Sequence, residues 1–162
     1  MNAKTRQRQR FLMSGQSVLE FALLAPLLLS LMLSVIEIGR FWGAKHGVAN
    51  AAREGARLML LPSGPGTKYA QQDDVNQAAI KATKQFLNMT GLAHEAPQVE
   101  ITPIWYDAAA RRTQTSFGSR ELTRGDQAGV LIAYQFETPL KLLLVGGDGI
   151  MTIKQQVLLD HE

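Results

Sequence analysis

One titratable side chain in this sequence stands where its charge is costly. Glu20 is a carboxylate at the head of an apolar run, and Phe21 through Ile36 follow it without a charge. A charged group inside a bilayer costs at least about 2.5–3.5 kcal/mol, so an acid in such a run implies an interaction that retains it. A small residue, Gly15, lies five places before it. The other residues able to do chemistry form no site by their spacing. His46, His94 and His161 have no metal-ligand spacing and no nearby partner pattern. Cysteine is absent, which excludes disulfides, a thiolate metal site and a cysteine nucleophile. No serine stands in a nucleophile-elbow context. Gly146-Gly147-Asp148-Gly149 is too short for a calcium loop, and Gly64-Pro65-Gly66-Thr67-Lys68 lacks the spacing of a phosphate loop; both read as turns. The expectation is a protein that is not an enzyme and has no cofactor, no metal and no small-molecule substrate. The rival, a membrane-tethered enzyme, requires titratable groups that converge only in three dimensions.

The element that positions Glu20 is the apolar run itself. From Gln16 to Ile38 a helix covers about 34 Å at 1.5 Å per residue, enough for the roughly 30 Å hydrocarbon core of a bilayer. A cleaved secretory signal has a small-x-small site after its apolar run. Here Glu37, Ile38, Gly39, Arg40, Phe41 and Trp42 follow, and Ala49-Asn50-Ala51 is too far downstream. A plain uncleaved membrane anchor accounts for the run but leaves Glu20 unexplained. Pro26 removes one backbone hydrogen bond and is expected to bend or loosen the helix.

Gly15-Gln16-Ser17-Val18-Leu19-Glu20 before an apolar helix resembles the processing site of type IV prepilins. In that family a membrane peptidase cuts after the glycine, and the glutamate is fifth in the mature chain. The run Glu20-Phe21-Ala22-Leu23-Leu24-Ala25-Pro26-Leu27-Leu28, with Ala51-Ala52-Arg53-Glu54-Gly55-Ala56-Arg57 downstream, is similar to the TadE/TadF-like family of bacterial tight-adherence (Tad, type IVc) pili. The resemblance covers the chain to about Leu60 and is only a general pattern beyond. It implies a minor pilin-like subunit or assembly factor, processed at Gly15, Gln16 and Glu20. The implied partners are a prepilin peptidase, other pilin subunits, the Tad secretion and assembly machinery, and membrane lipid. Glu20 would neutralise the N-terminal amine of a neighbouring subunit, and Pro26 would help the helix unwind in a filament. Gln16 replaces the phenylalanine common at the first mature position. The resemblance also implies an inner-membrane location, with the N-terminus cytoplasmic and the C-terminal domain periplasmic. An unprocessed single-pass assembly protein is the alternative.

Charge agrees with a leader. The whole chain has a net charge of +3. Lys4, Arg6, Arg8 and Arg10 precede Gly15; without these four cations the 17 basic residues become 13 against 14 acidic ones. A mature chain near −1 lacks the retained basic surface that phosphate-backbone binding requires, so nucleic acid is not an expected partner. Arg40, Lys45, Arg53 and Arg57 beyond the span equal the leader in number, so the positive-inside rule does not set orientation.

Past Ile38 helical character continues. Phe41 and Trp42, flanked by Arg40 and Lys45, read as interfacial anchors. A helix from Ser17 to Met59 would be roughly 60 Å long. Within it Gly39, Gly43, Gly47, Ala51 and Gly55 recur every fourth residue as a ridge of small side chains. Glycine at four helical positions costs on the order of 3–4 kcal/mol relative to alanine, which close approach of another backbone would offset. The partner is either the protein's own sheet or another subunit.

Pro62-Ser63-Gly64-Pro65-Gly66 marks a boundary. The next helix begins near Tyr69 or Asp73 and runs to Met89, with Val75, Ala78, Ala79, Ala82, Phe86 and Leu87 as its apolar face and Gly91 as its stop. Three alternating stretches follow, around Val99–Trp105, Val130–Glu137 and Met151–Leu159. Asp107 to Gly125 reads as a solvated polar loop, with contact to a partner as the alternative, and Leu140 to Val145 as a core-covering turn or an exposed contact patch. The expected fold is α+β: a long N-terminal transmembrane helix extending into a small domain with one further helix and a three- to four-stranded antiparallel sheet. The expected divisions are a basic leader (1–15), a span (16–38), a helix extension (39–61) and an exported domain (62–162).

Overall fold

Leucine and alanine are the commonest residues in the first third of the chain, and a continuous helix satisfies every interior backbone group without water. In the computed structural model, helix α1 spans Ala3–Met59 and passes Pro26 without interruption. The structure describes residues 3–92, 99–109, 111–115, 125–138 and 149–160, with side chains from residue 16 onward. Packing divides the chain into two units, residues 1–40 and 41–162.

In the first unit no residue from 16 to 40 is buried. Leu23 is 78% exposed and Phe21 68%. The polar groups in this apolar stretch bond locally: the Ser30 hydroxyl donates to the Leu27 carbonyl (2.8 Å) and Ser34 to the Ser30 carbonyl (2.7 Å). Near the end of the unit Arg40 and Glu37 form an i,i+3 ion pair at 2.8 Å.

The second unit packs the remainder of α1 and helix α2 (Gln72–Met89) with one four-stranded sheet through a shared core. The strands are β1 (Val99–Asp107), β2 (Arg112–Gln114), β3 (Gln127–Glu137) and β4 (Ile150–Asp160), in the order β2-β1-β3-β4 with every pair antiparallel. Strand alternation puts Ala128, Val130, Ile132, Tyr134 and Phe136 of β3 on the core face, all buried. Val99, Trp105 and Ile153 join them from the neighbouring strands, with Ala44, Val48, Ala51, Ala52 and Met59 from α1 and Ala79 and Leu87 from α2. Pro103 lies in the part of β1 that β2 leaves uncovered, so its missing N–H costs no ladder bond on that edge. At Gly129 the strands approach too closely for any side chain, because a Cβ there would run into the Val157 carbonyl oxygen.

The ends of α2 are set by local chemistry. The Asp74 carboxylate accepts the Gln71 N–H at 3.0 Å and also opposes the helix dipole. At the other end Gly91 takes φ +72°, the Leu92 N–H reaches the Leu87 carbonyl (3.1 Å), and the Gly91 N–H reaches that of Asn88 (3.1 Å). This is a Schellman stop, and it turns Leu92 back against the core.

One element departs from the sequence reading. Asp107–Gly125 is not loop throughout, because it opens as a hairpin into β2. Asp107 accepts the Ala109 N–H through Oδ1 (2.9 Å), an Asx turn, and buried Asp126 accepts the Ala108 N–H (3.2 Å). A three-residue strand whose burial pattern is exposed, exposed and half-buried has no hydrophobic alternation to read. His94, His161, Arg120, Arg124, Gly146-Gly147-Asp148 and the 140–145 stretch lie outside the described residues.

Candidate processing segment and helix surface

The backbone of α1 is helical on both sides of the Gly15–Gln16 bond. Gln16 and Glu20 are exposed and one helical turn apart, and the Gln16 amide donates to Glu20 Oε1 at 3.2 Å. The Glu20 carboxylate is thus an exposed acceptor at the polar end of the apolar stretch, held by its own helix. Among the described residues no group of three or more metal-ligating side chains gathers.

The ridge of small residues divides into an open and a closed part. Among the described residues, a Cβ added at Gly39 or Gly43 would meet nothing within 4 Å. At Gly47 it would lie 2.8 Å from Leu92 Cδ1, the residue that the Schellman stop turns inward. Ala51 is fully buried. At Gly55 it would collide with Thr83 Oγ1 of α2 and lie 3.0 Å from Val130 Cγ2 of β3. The cause is helical geometry. Four residues turn about 400°, so each step along the row shifts it about 40°, and three steps from Gly43 to Gly55 carry it about 120° around the axis. A row starting on the outer surface therefore ends against the sheet.

Thr83 completes this contact. Its hydroxyl bonds the Ala79 carbonyl at 2.8 Å, so it is satisfied within α2 although fully buried. Sequence reasoning did not select Thr83, which continues the row of Val75, Ala79 and Leu87 but carries a hydroxyl, or Leu92, which lies beyond the end of the helix. The C′ position of Gly91 could have flagged Leu92, since a Schellman stop brings the next residue back to the helix.

Near the start of the second unit, Phe41 meets Phe136 edge-on with ring centroids 5.5 Å apart. On the outer side of the same turn Lys45 Nζ lies 5.7 Å from the Trp42 ring centroid, and the His46 ring is 6.0 Å away.

Among the described residues one helix is long and apolar enough to cross a membrane, and its chain continues into a small α+β domain. Residues 15–57 match the family described as TadE-like protein. The matched segment begins at Gly15 and ends two residues before α1 does, so it is the helix, not the sheet, that carries the likeness. No curated protein and no solved structure matches the chain. The matched segment and the candidate span, Gln16–Met59, are thus nearly the same stretch of α1.

Proposed function

We propose that this chain is a minor pilin-like structural subunit or assembly factor of a bacterial Tad pilus, processed by a prepilin peptidase between Gly15 and Gln16. The observation that carries the reading is the start of the TadE-like segment at Gly15, with Glu20 five residues on and an unbroken apolar helix behind it. The chemistry is consistent. Glycine is the residue that least favours a helix apart from proline, by about 1 kcal/mol against alanine, so local unwinding for a peptidase is easiest there. Its lack of a side chain also opens the backbone to attack.

After cleavage the new amine of Gln16 would lie beside an apolar surface, and the Glu20 carboxylate of a neighbouring subunit would neutralise it. Attraction between unit charges strengthens as water is excluded, so such a pair would favour assembled subunits. The domain following α1 would then be periplasmic, with the basic leader left in the cytoplasm.

Intact mass after co-expression with a prepilin peptidase tests the reading. Loss of residues 1–15 is expected, and Gly15→Leu should keep them. An unchanged wild-type mass would leave an unprocessed membrane-anchored assembly protein instead. Glu20→Ala should still insert in the membrane, because removing a charge favours insertion, but assemble poorly.

A further inference from the structure

Cleavage between Gly15 and Gln16 would leave a glutamine at the head of the mature chain, and a terminal glutamine carries its own electrophile. In the uncut chain the Gln16 nitrogen belongs to a peptide bond, so its lone pair is delocalised and does not attack. It is also interior to α1, where an N–H bonds the carbonyl four residues back, for Gln16 that of Leu12 in the leader. Removing residues 1–15 takes away both restraints. The nitrogen becomes a primary amine in the first turn of the shortened helix, where N–H groups have no helical partner.

A terminal amine has an ordinary pKa of about 7.7–8.0, so roughly a tenth of it is neutral at pH 7. The neutral form can attack Cδ of its own side chain, closing a five-membered ring. Glu20 holds that carboxamide: Gln16 Nε2 donates to Glu20 Oε1 at 3.2 Å, which turns the amide along the helix and away from its own nitrogen. Both residues are exposed, and an i,i+4 bond of this kind slows the return by about twofold at most. Glu20 of the same chain therefore delays ring closure without preventing it.

We propose that the processed chain modifies itself at Gln16, closing to an N-terminal pyroglutamate wherever the amine is left unpaired. The inference rests on the proposed cleavage. The amine nitrogen bonds to Cδ, the Cδ–Nε2 bond breaks, and Nε2 leaves as ammonia with one proton taken from the amine. No oxidant, reductant or second reactant enters. The ring removes the positive charge at the head of a run, Phe21 through Ile36, that has no charge of its own. Its lactam N–H can donate a hydrogen bond to a carboxylate but cannot form an ion pair. A neighbour's Glu20 on the open amine would hold it protonated, and a protonated amine does not attack. Pairing and cyclisation are thus alternatives: a subunit with a neighbour keeps its charge, and one left alone loses it.

Intact mass, with the mass of the N-terminal peptide, follows the reaction. The full chain is co-expressed with a prepilin peptidase, purified in detergent as separate subunits and sampled during incubation at neutral pH. The mature chain should become lighter by one ammonia, with the loss confined to the peptide that begins at Gln16, and its end should resist Edman degradation. Gln16→Ala, cut but without the carboxamide, should lose no ammonia from that peptide. Gly15→Leu, which keeps the leader, should lose none from Gln16, because the nitrogen there stays acylated. If the leader is removed and the terminal amine remains open, self-modification is overturned and cleavage stands. If the wild-type chain keeps its leader, cleavage fails and cyclisation fails with it. Equal loss of ammonia from the Gln16 peptide of Gly15→Leu would also overturn the proposal, since no amine is present there to attack.

Discussion

The two lengths of α1 are made of different residues because they face different surroundings. From Phe21 to Ile38 the helix carries large aliphatic side chains, and none is buried by the protein. From Ala44 to Met59 it carries Ala44, Val48, Ala51, Ala52, Gly55 and Ala56 toward the interior, all buried, with Arg53 and Arg57 outside. Lipid accepts bulk on every side of a helix, and no face needs to be small. A sheet and a second helix admit a helix closely only where its side chains are small. The first length is thus selected by area and the second by closeness of approach.

That contrast can be broken most forcefully at Leu87, which is fully buried under the packed length. Leu87→Ala should destabilise the domain by about 3 kcal/mol through lost transfer energy and a residual cavity. Urea unfolding of the full chain in detergent, followed by buried Trp105, measures it. Leu28→Ala, in the exposed length, should leave that midpoint where it was; an equal loss would mean the two lengths do not differ as described.

The same substitution at two glycines sharpens the contrast further. Gly55→Ala drives a methyl into Thr83 and Val130. Overpacking outweighs the better helix propensity, for a net loss of about 2 kcal/mol by chemical denaturation. A smaller effect is expected from Asp74→Ala, which removes the acceptor for the Gln71 N–H at the start of α2. It should cost about 1 kcal/mol, seen as a lower melting temperature, because the packed length depends on α2 being in place.

Gly43→Ala should have the smallest effect and the opposite sign. None of the described residues lies within 4 Å of its Cβ position, so the domain should gain up to about 1 kcal/mol. The larger Gly43→Leu should likewise leave thermal unfolding undiminished. If pilus incorporation then falls, the open part of the ridge contacts another subunit; if the domain melts lower, it contacts its own.

Much of this was legible from residue order. The long apolar helix follows from residue type alone, and the segment that matches the TadE-like family begins at the Gly15 of the Gly-x-x-x-x-Glu spacing. Strands β1, β3 and β4 are visible because alternate residues face a core, a period of two that local sequence records. Their ends were less legible: β3 begins before Val130, at Gln127, and β4 reaches Asp160. Strand β2 left no such trace, since it is held by backbone pairing to Tyr106 and by the carboxylates of Asp107 and Asp126 at the turn.

The glycine ridge shows where residue order stops being sufficient. Spacing establishes that Gly39, Gly43, Gly47, Ala51 and Gly55 form one row, and propensity establishes that such a row is costly in a helix. Which part of it is covered depends on the position of the sheet around the axis, and that comes from contacts made by residues far along the chain. Leu92, Thr83 and Val130 close the row at Gly47 and Gly55, and none of the described residues closes it within 4 Å at Gly43. Local sequence determined the helix, its apolar run and the ridge because each depends on neighbours a few residues apart. Only the tertiary structure decided which side of the ridge is inside, because a helix surface turns about 40° with every step of four residues and has no inside until something packs against it.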